Sequence, residues 1–232
     1  MCSKTKRLSR GERGAEERVA VYIDGFNLYH AIKALDKPHL KWLNIRRLAD
    51  LLIKQKTQKI EFVRYFSAYG NHYSNTHLVH RLTRHRAYVK ALKAKGVDVQ
   101  IGNFAKRDMH YSSGKGSYYR SKWRRYEEKQ TDVGIAVSLV NDAHLDKFDR
   151  ALVISLDTDM LPAFKIIQSE FPAKHIVCVA PPSRPHHRDI QVLGIELDNI
   201  KTSQLEKSLF GACVTSGGVI VARRPLAYRP PK

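Results

Sequence analysis

At 232 residues the chain is long enough for one well-cored domain and barely for two, and 43% hydrophobic with 27% charged residues excludes a generally disordered protein. Against 22 Asp and Glu stand 41 Lys and Arg, a formal charge of +19 with a pI near 10.0. Such a surface draws polyanions, because each neutralised phosphate releases a condensed counterion, although charge alone also fits a ribosome-associated or merely soluble basic protein.

Residues 1–18 are polar and strongly basic and read as a flexible arm. Val19–Ile23 is an apolar, β-forming run that stops at Asp24-Gly25, as a buried strand does at a turn. A helix follows over Asn27–Leu35 with Leu28, Ile32 and Leu35 on one face, and Asn44 caps a second that carries Ile45, Leu48, Leu51 and Leu52. Lys59–Tyr69 is the second strand. A longer helix spans Asn75–Lys95 and closes at Gly96, and Val97–Ile101 is the third strand. Phe104–Tyr126 breaks the rhythm with no clean period. Asp132 then leads a helix whose Val133, Ala136, Val137 and Val140 are spaced as one buried stripe. Ala151–Leu156 is a fourth strand, Asp157-Thr158-Asp159 a turn, Pro162 a first-turn residue of another helix, and His175–Ala180 a fifth strand. Nearly all-apolar strands alternating with helices define an α/β fold, a mostly parallel sheet with helices on both faces. The reading divides the chain into the arm, a domain over 19–201, and a short helix with a basic tail over 202–232.

In open parallel sheets ligands gather beyond the C-terminal strand ends. Asp24 lies at one such end, Asp157 and Asp159 at another, and Asp132 opens the helix feeding that second strand. Crowded carboxylates repel and take up protons unless a cation neutralises them, and hard oxygen ligands suit Mg²⁺ or Mn²⁺. Singly, each has a duller reading: a turn at Asp24-Gly25, a dipole-stabilising acid at Asp132, an N-cap at Asp157. The unperiodic segment interleaves Lys106, Arg107, Lys115, Arg120, Lys122, Arg124 and Arg125 with Tyr111, Tyr118, Tyr119, Trp123 and Tyr126. That mixture holds single strands, with cations on phosphates and rings under bases; the bland reading is a solvated loop. Arg81, Arg84, His85, Arg86 and Lys90 form another basic cluster, on the long helix, where a solvated face is the simpler reading. The 11 histidines show no metal-binding spacing, and Cys2, Cys178 and Cys213 form no C-x-x-C pair, which fits neither a disulfide framework nor a zinc site. A reducing, cytoplasmic setting is expected. No apolar run approaches membrane-span length, and no hydrophobic signal core opens the chain.

Three segments, Val-Tyr-Ile-Asp-Gly-Phe-Asn-Leu-Tyr ending at Tyr29, Glu-Glu-Lys-Gln-Thr-Asp-Val ending at Val133, and Val-Ile-Ser-Leu-Asp-Thr-Asp-Met ending at Met160, resemble the signatures of the NYN domain family. They are most similar to its LabA-like (DUF88) branch within the PIN-like nuclease superfamily, and 141–149 is similar to that branch's linker. The resemblance covers roughly 19–200. It implies a Rossmann-like PIN-type fold, metal-dependent RNA cleavage and an acidic site of Asp24, Asp132, Asp157 and Asp159 holding Mg²⁺ or Mn²⁺, with Asn27 as the neighbouring polar residue. Leu156 and Met160 depart from the family's usual small residue and aromatic or Leu; neither removes a ligand, and Leu156 bears on catalytic rate more than on metal binding.

The expected function is a metal-dependent ribonuclease that binds RNA through Asn27, Lys122, Trp123, Arg124, Arg125 and Lys129. Glu128 reads more simply as a solvated charge than as a ligand. The alternative is an RNA-binding module of the same fold with little or no turnover, and a phosphatase of small substrates is a distant third, because Phe26 stands where an Asp-x-Asp motif needs its second acid. Neither G-x-G-x-x-G after the first strand nor G-x-x-x-x-G-K is present, which disfavours a nucleotide-cofactor enzyme. A homo-oligomer or a regulatory partner stays open.

Overall fold

The computed structural model describes residues 16–69, 76–111 and 121–231, with 76–78, 104–111 and 121–129 described by backbone alone. In chain order come β1 (Glu17–Asp24), α1 (Gly25–Ala34), α2 (Ile45–Leu52), β2 (Gln58–Ala68), α3 (Thr76–Lys93), β3 (Asp98–Tyr111), β4 (Ser121–Lys129) and α4 (Thr131–His144). They are followed by β5 (Arg150–Ile154), α5 (Leu161–Glu170), β6 (His175–Ala180), α6 (Arg188–Val192), β7 (Glu196–Asn199), α7 (Thr202–Lys207), β8 (Cys213–Ser216) and β9 (Val219–Arg223). The main sheet has the order β4-β3-β2-β1-β5-β6-β7, parallel throughout except for β4. The α/β, mostly parallel architecture expected from the sequence is therefore present.

β1 shows why this sheet is covered on both faces. Val19 to Ile23 are all fully buried, and alternate side chains of a strand point to opposite faces. Val19, Val21 and Ile23 join one core with Leu28, Ile32, Trp42, Leu48 and Leu92, from the α1, α2 and α3 side. Ala20 and Tyr22 join the other, with Ile135, Leu139 and Phe164 from α4 and α5. Helix α4 is tied to the sheet by Asp142, which is fully buried and accepts from Tyr22 Oη at 2.8 Å, from Lys147 Nζ at 3.0 Å and from the Arg64 guanidinium. Removing one partner from such a buried charge cluster costs about 3–5 kcal/mol.

Local signals hold where local chemistry sets them. Asn44 Oδ1 accepts from Arg47 N at 3.2 Å and caps α2; Gly96 takes φ +74° after α3; Pro162 sits in the first turn of α5. Three readings are corrected. The buried stripe of α4 is Ile135, Leu139 and Ala143, while Val133 and Val137 are 67% and 62% exposed. The unperiodic segment, where it is described, is strand: β3 runs on past its last partner on β2, the Ala68–Gly102 pair, and continues against β4 alone as an antiparallel ribbon. Strands β7, β8 and β9 were not expected at all. The basic arm lies outside the described residues apart from its last three.

After α7 the chain returns to the first core. Phe210 N donates to Trp42 O at 3.0 Å and Trp42 Nε1 to Gly211 O at 2.9 Å. Phe210, Val214 and Ala222 are buried in the same cluster as Trp42. No helix among the described residues is long and apolar enough to cross a membrane, and Cys178 and Cys213 are free thiols.

Candidate metal centre

Strands β1 and β5 are neighbours, yet the chain leaves them toward opposite edges of the sheet. Such a switch point opens a crevice beyond the strand ends. Asp24 is the last residue of β1 and caps α1 directly: Oδ1 accepts from Phe26 N at 3.0 Å and Asn27 N at 2.9 Å. Helix α1 can start this abruptly because residue 25 is Gly. A Cβ there would lie 2.6 Å from the Phe66 carbonyl oxygen and 2.5 Å from the Tyr65 ring. Asp24 is 5% exposed, and burial first, then the charge of Asp157, raises its pKa against the pull of its hydrogen bonds.

Beyond β5, Ser155 joins the two strand ends. Its hydroxyl donates to Asp24 Oδ2 at 3.2 Å and accepts from Asp157 N at 3.1 Å. Asp157 Oδ1 in turn accepts from Asp159 N at 2.9 Å and caps a short 3₁₀ turn. Asp132 arrives from the first turn of α4, just after Gln130, which is held at φ +80°. Leu156, the departure noted above, is not among the residues at positive φ, so its bulk brings no left-handed strain.

One carboxylate oxygen each from Asp132, Asp157 and Asp159 lies within 4.8 Å of the other two. Asp24 is not in that set, but with Asn27, Asp132, Leu156 and Asp157 it lines one cavity of about 440 Å³. Desolvation pushes the pKa of Asp132 up to about 6, aided by the charges of Asp24, Asp157 and Asp159. The donors are all hard carboxylate oxygens whose mutual repulsion a cation would relieve, which is the chemistry that fits Mg²⁺ or Mn²⁺. The duller roles are also present, since Asp24 and Asp157 do cap helical turns. An N-cap and a ligand are compatible, because a carboxylate has two oxygens.

The residues proposed to touch substrate fare unevenly. Asn27 lines the cavity. Lys122, Trp123, Arg124, Arg125 and Lys129, with Glu128, fall on β4 opposite His110, Met109, Asp108, Arg107, Asn103 and Phe104 respectively; their side chains lie outside the described residues. Sequence reasoning passed over Ser155 and Arg184. The latter enters the cavity from the loop after β6, a third strand end at the same rim, and the rule about strand ends that singled out Asp24 would have found it.

Comparison with known proteins places this geometry. A family model described as the NYN domain matches residues 18–189, a span holding every aspartate of the centre. Over 90% of its length the chain is 24% identical to a 6-hydroxy-3-succinoylpyridine 3-monooxygenase, HspA, of Pseudomonas putida (strain DSM 28022 / S16), covering 73% of that protein. No solved structure matches significantly. With a match over most of its length and the aspartates of both strand ends inside it, the chain belongs to the NYN domain family of PIN-like, nuclease-type domains.

Proposed function

We propose that the protein is a metal-dependent ribonuclease of the LabA-like branch, hydrolysing RNA phosphodiester bonds at the Asp24–Asp132–Asp157–Asp159 centre. The observation that carries the reading is the approach of Asp132, Asp157 and Asp159 to within 4.8 Å, from two separate stretches of chain, beside a cavity that also holds Asp24. Asp132, Asp157 and Asp159 would hold Mg²⁺ or Mn²⁺, with Asp24 lining the cavity beside them. When bound, the ion supplies Lewis acidity toward a phosphoryl oxygen and a more acidic water.

The chain's own groups do the rest. Ser155 fixes the carboxylate of Asp24 and the backbone of Asp157 at once, which keeps the acids in place before substrate arrives. Asn27 and Arg184, which both line the cavity, offer neutral and charged donors to non-bridging phosphate oxygens. The excess positive charge of +19 raises the local concentration of RNA near an otherwise acidic centre.

The test is cleavage of a short single-stranded RNA with Mn²⁺ by the parent, Asp24→Asn, Asp132→Asn and Asp157→Asn chains. Each variant is expected to lose about 100-fold or more in rate, because it weakens the site that would hold and position the activating ion. Equal cleavage by parent and variants would overturn the assignment. The monooxygenase activity belongs to the Pseudomonas putida relative by name; oxidation of a hydroxypyridine by this chain, with no RNA cleavage, would move the reading there.

A further inference from the structure

A second cavity of about 250 Å³ opens on the other side of α1, between it and α3. The two cavities are neighbours, because Phe26 and His30 border both. The second is as basic as the first is acidic. Lys33, Lys41, Arg81 and Arg84 all line it, and among the described residues none of the four forms an ion pair with a carboxylate. Lys41 feels the crowding: burial lowers its pKa, then the charges of Lys33, Arg84 and Arg81 lower it further, and Asp36 offsets only part of this. The Nε of Arg84 is buried with no hydrogen-bond partner among the described residues. Cations gathered with so little counter-charge raise the free energy of the empty site and lower that of an anion entering it.

Aromatic rings alternate with these cations. Lys41 Nζ lies 5.6 Å from the centroid of Tyr29, which is 39% exposed, and Arg84 Cζ lies 5.9 Å from that of Tyr228. Deeper in, Ser67 Oγ is 3.2 Å from His85 Nε2. Burial holds the pKa of His85 down at about 4, so at neutral pH the imidazole offers hydrogen bonds rather than charge. Cations for a phosphate, an exposed ring for a base and neutral polar groups for its edge form the pattern that holds single-stranded nucleic acid. The small volume suits one nucleotide unit rather than several.

We propose that this cavity is a subsite for the nucleotide flanking the scissile phosphate of a single-stranded RNA, with Lys41, Arg81 and Arg84 on its phosphate and Tyr29 against its base. The position relative to the scissile bond rests on the nuclease reading; the affinity of the cavity for single-stranded RNA does not. Helix α3 contributes Arg81 and Arg84 and the C-terminal segment contributes Tyr228, so the subsite draws on the basic helix face and on residues beyond the family match.

Binding of a fluorescent single-stranded RNA of about eight nucleotides, long enough to reach across this cavity and its acidic neighbour, is measured by anisotropy with Ca²⁺ in place of Mn²⁺. The Lys41→Gln/Arg81→Gln chain is compared with Lys54→Gln/Lys56→Gln, an equal charge change in the exposed loop before β2 at the opposite end of the sheet. The cavity variant is expected to bind about tenfold more weakly than this control, and Tyr29→Ala about fivefold more weakly than Tyr29→Phe. In the Mn²⁺ cleavage assay the same cavity variants raise KM and leave kcat unchanged. Equal affinities of the two charge variants overturn the subsite and leave the nuclease reading standing. Weaker binding by the cavity variant, in a parent chain that cleaves nothing, supports the subsite and removes the nuclease.

Discussion

Asp132 is the residue whose acid–base behaviour the fold changes most among the acids of the centre, and its shift gives a sign. Its pKa rises to about 6 from an ordinary 3.8 through desolvation and three neighbouring carboxylates. A carboxyl whose folded pKa exceeds its unfolded one stabilises the fold relative to the ionised state only while protonated. That contribution is complete below the unfolded pKa and is lost as pH rises through the folded value, in a window from about 4 to about 6. A divalent cation reverses the balance, because it must displace the Asp132 proton at low pH and relieves carboxylate repulsion above the window. Addition of Mn²⁺ is therefore expected to raise the thermal midpoint more at about pH 7.5 than at about pH 5, as followed by circular dichroism. An equal shift at both would show that the ion binds elsewhere. The residue scale is also where the sequence was most informative: Asp24, Asp157 and Asp159 announce themselves because each follows an apolar strand. Ser155 did not, since one hydroxyl inside a strand-end motif acquires its role only when β1 and β5 become neighbours.

At the scale of elements, legibility followed whether the deciding contact was local. Caps and terminal glycines depend on a few adjacent residues, so Asn44 and Gly96 were read correctly. The face of α4 was not, because two stripes compete: Val133, Ala136, Val137 and Val140 keep helical spacing as well as Ile135, Leu139 and Ala143 do. The sheet decides. On its side of the sheet Ile135 and Leu139 pack with Tyr22, Phe66 and Phe164 in the second core. Ile135→Ala is accordingly expected to cost about 2–5 kcal/mol, whereas Val137→Ala stays within about 0.5 kcal/mol, read from denaturant midpoints. The sequence-derived stripe demands the opposite order. The β3–β4 ribbon has no clean period in the sequence to announce it, and past Gly102 β3 pairs with β4 alone.

For the whole molecule, the family match ends at residue 189 while one of the two cores does not. Leu205, Phe210, Val214 and Ala222 are buried with Trp42, Leu43 and Leu48, and Arg224 Nη2 donates to Phe210 O at 2.7 Å. Fully burying one large apolar side chain contributes roughly 1.5–3 kcal/mol, and a domain's whole stability is about 5–15 kcal/mol. Several such side chains therefore amount to much of that margin. Phe210→Ala, which leaves a cavity against Trp42, whose ring centroid lies 5.6 Å away, is expected to cost about 3–5 kcal/mol. A chain ended at residue 209 should lose more than Phe210→Ala does, and lose it in both cores together, because β1 serves both faces of the sheet. Urea unfolding followed by circular dichroism checks this. A tail that merely rides on the domain would instead leave the parent midpoint unchanged, so a single titration separates it from one that helps hold Asp24 at the end of β1.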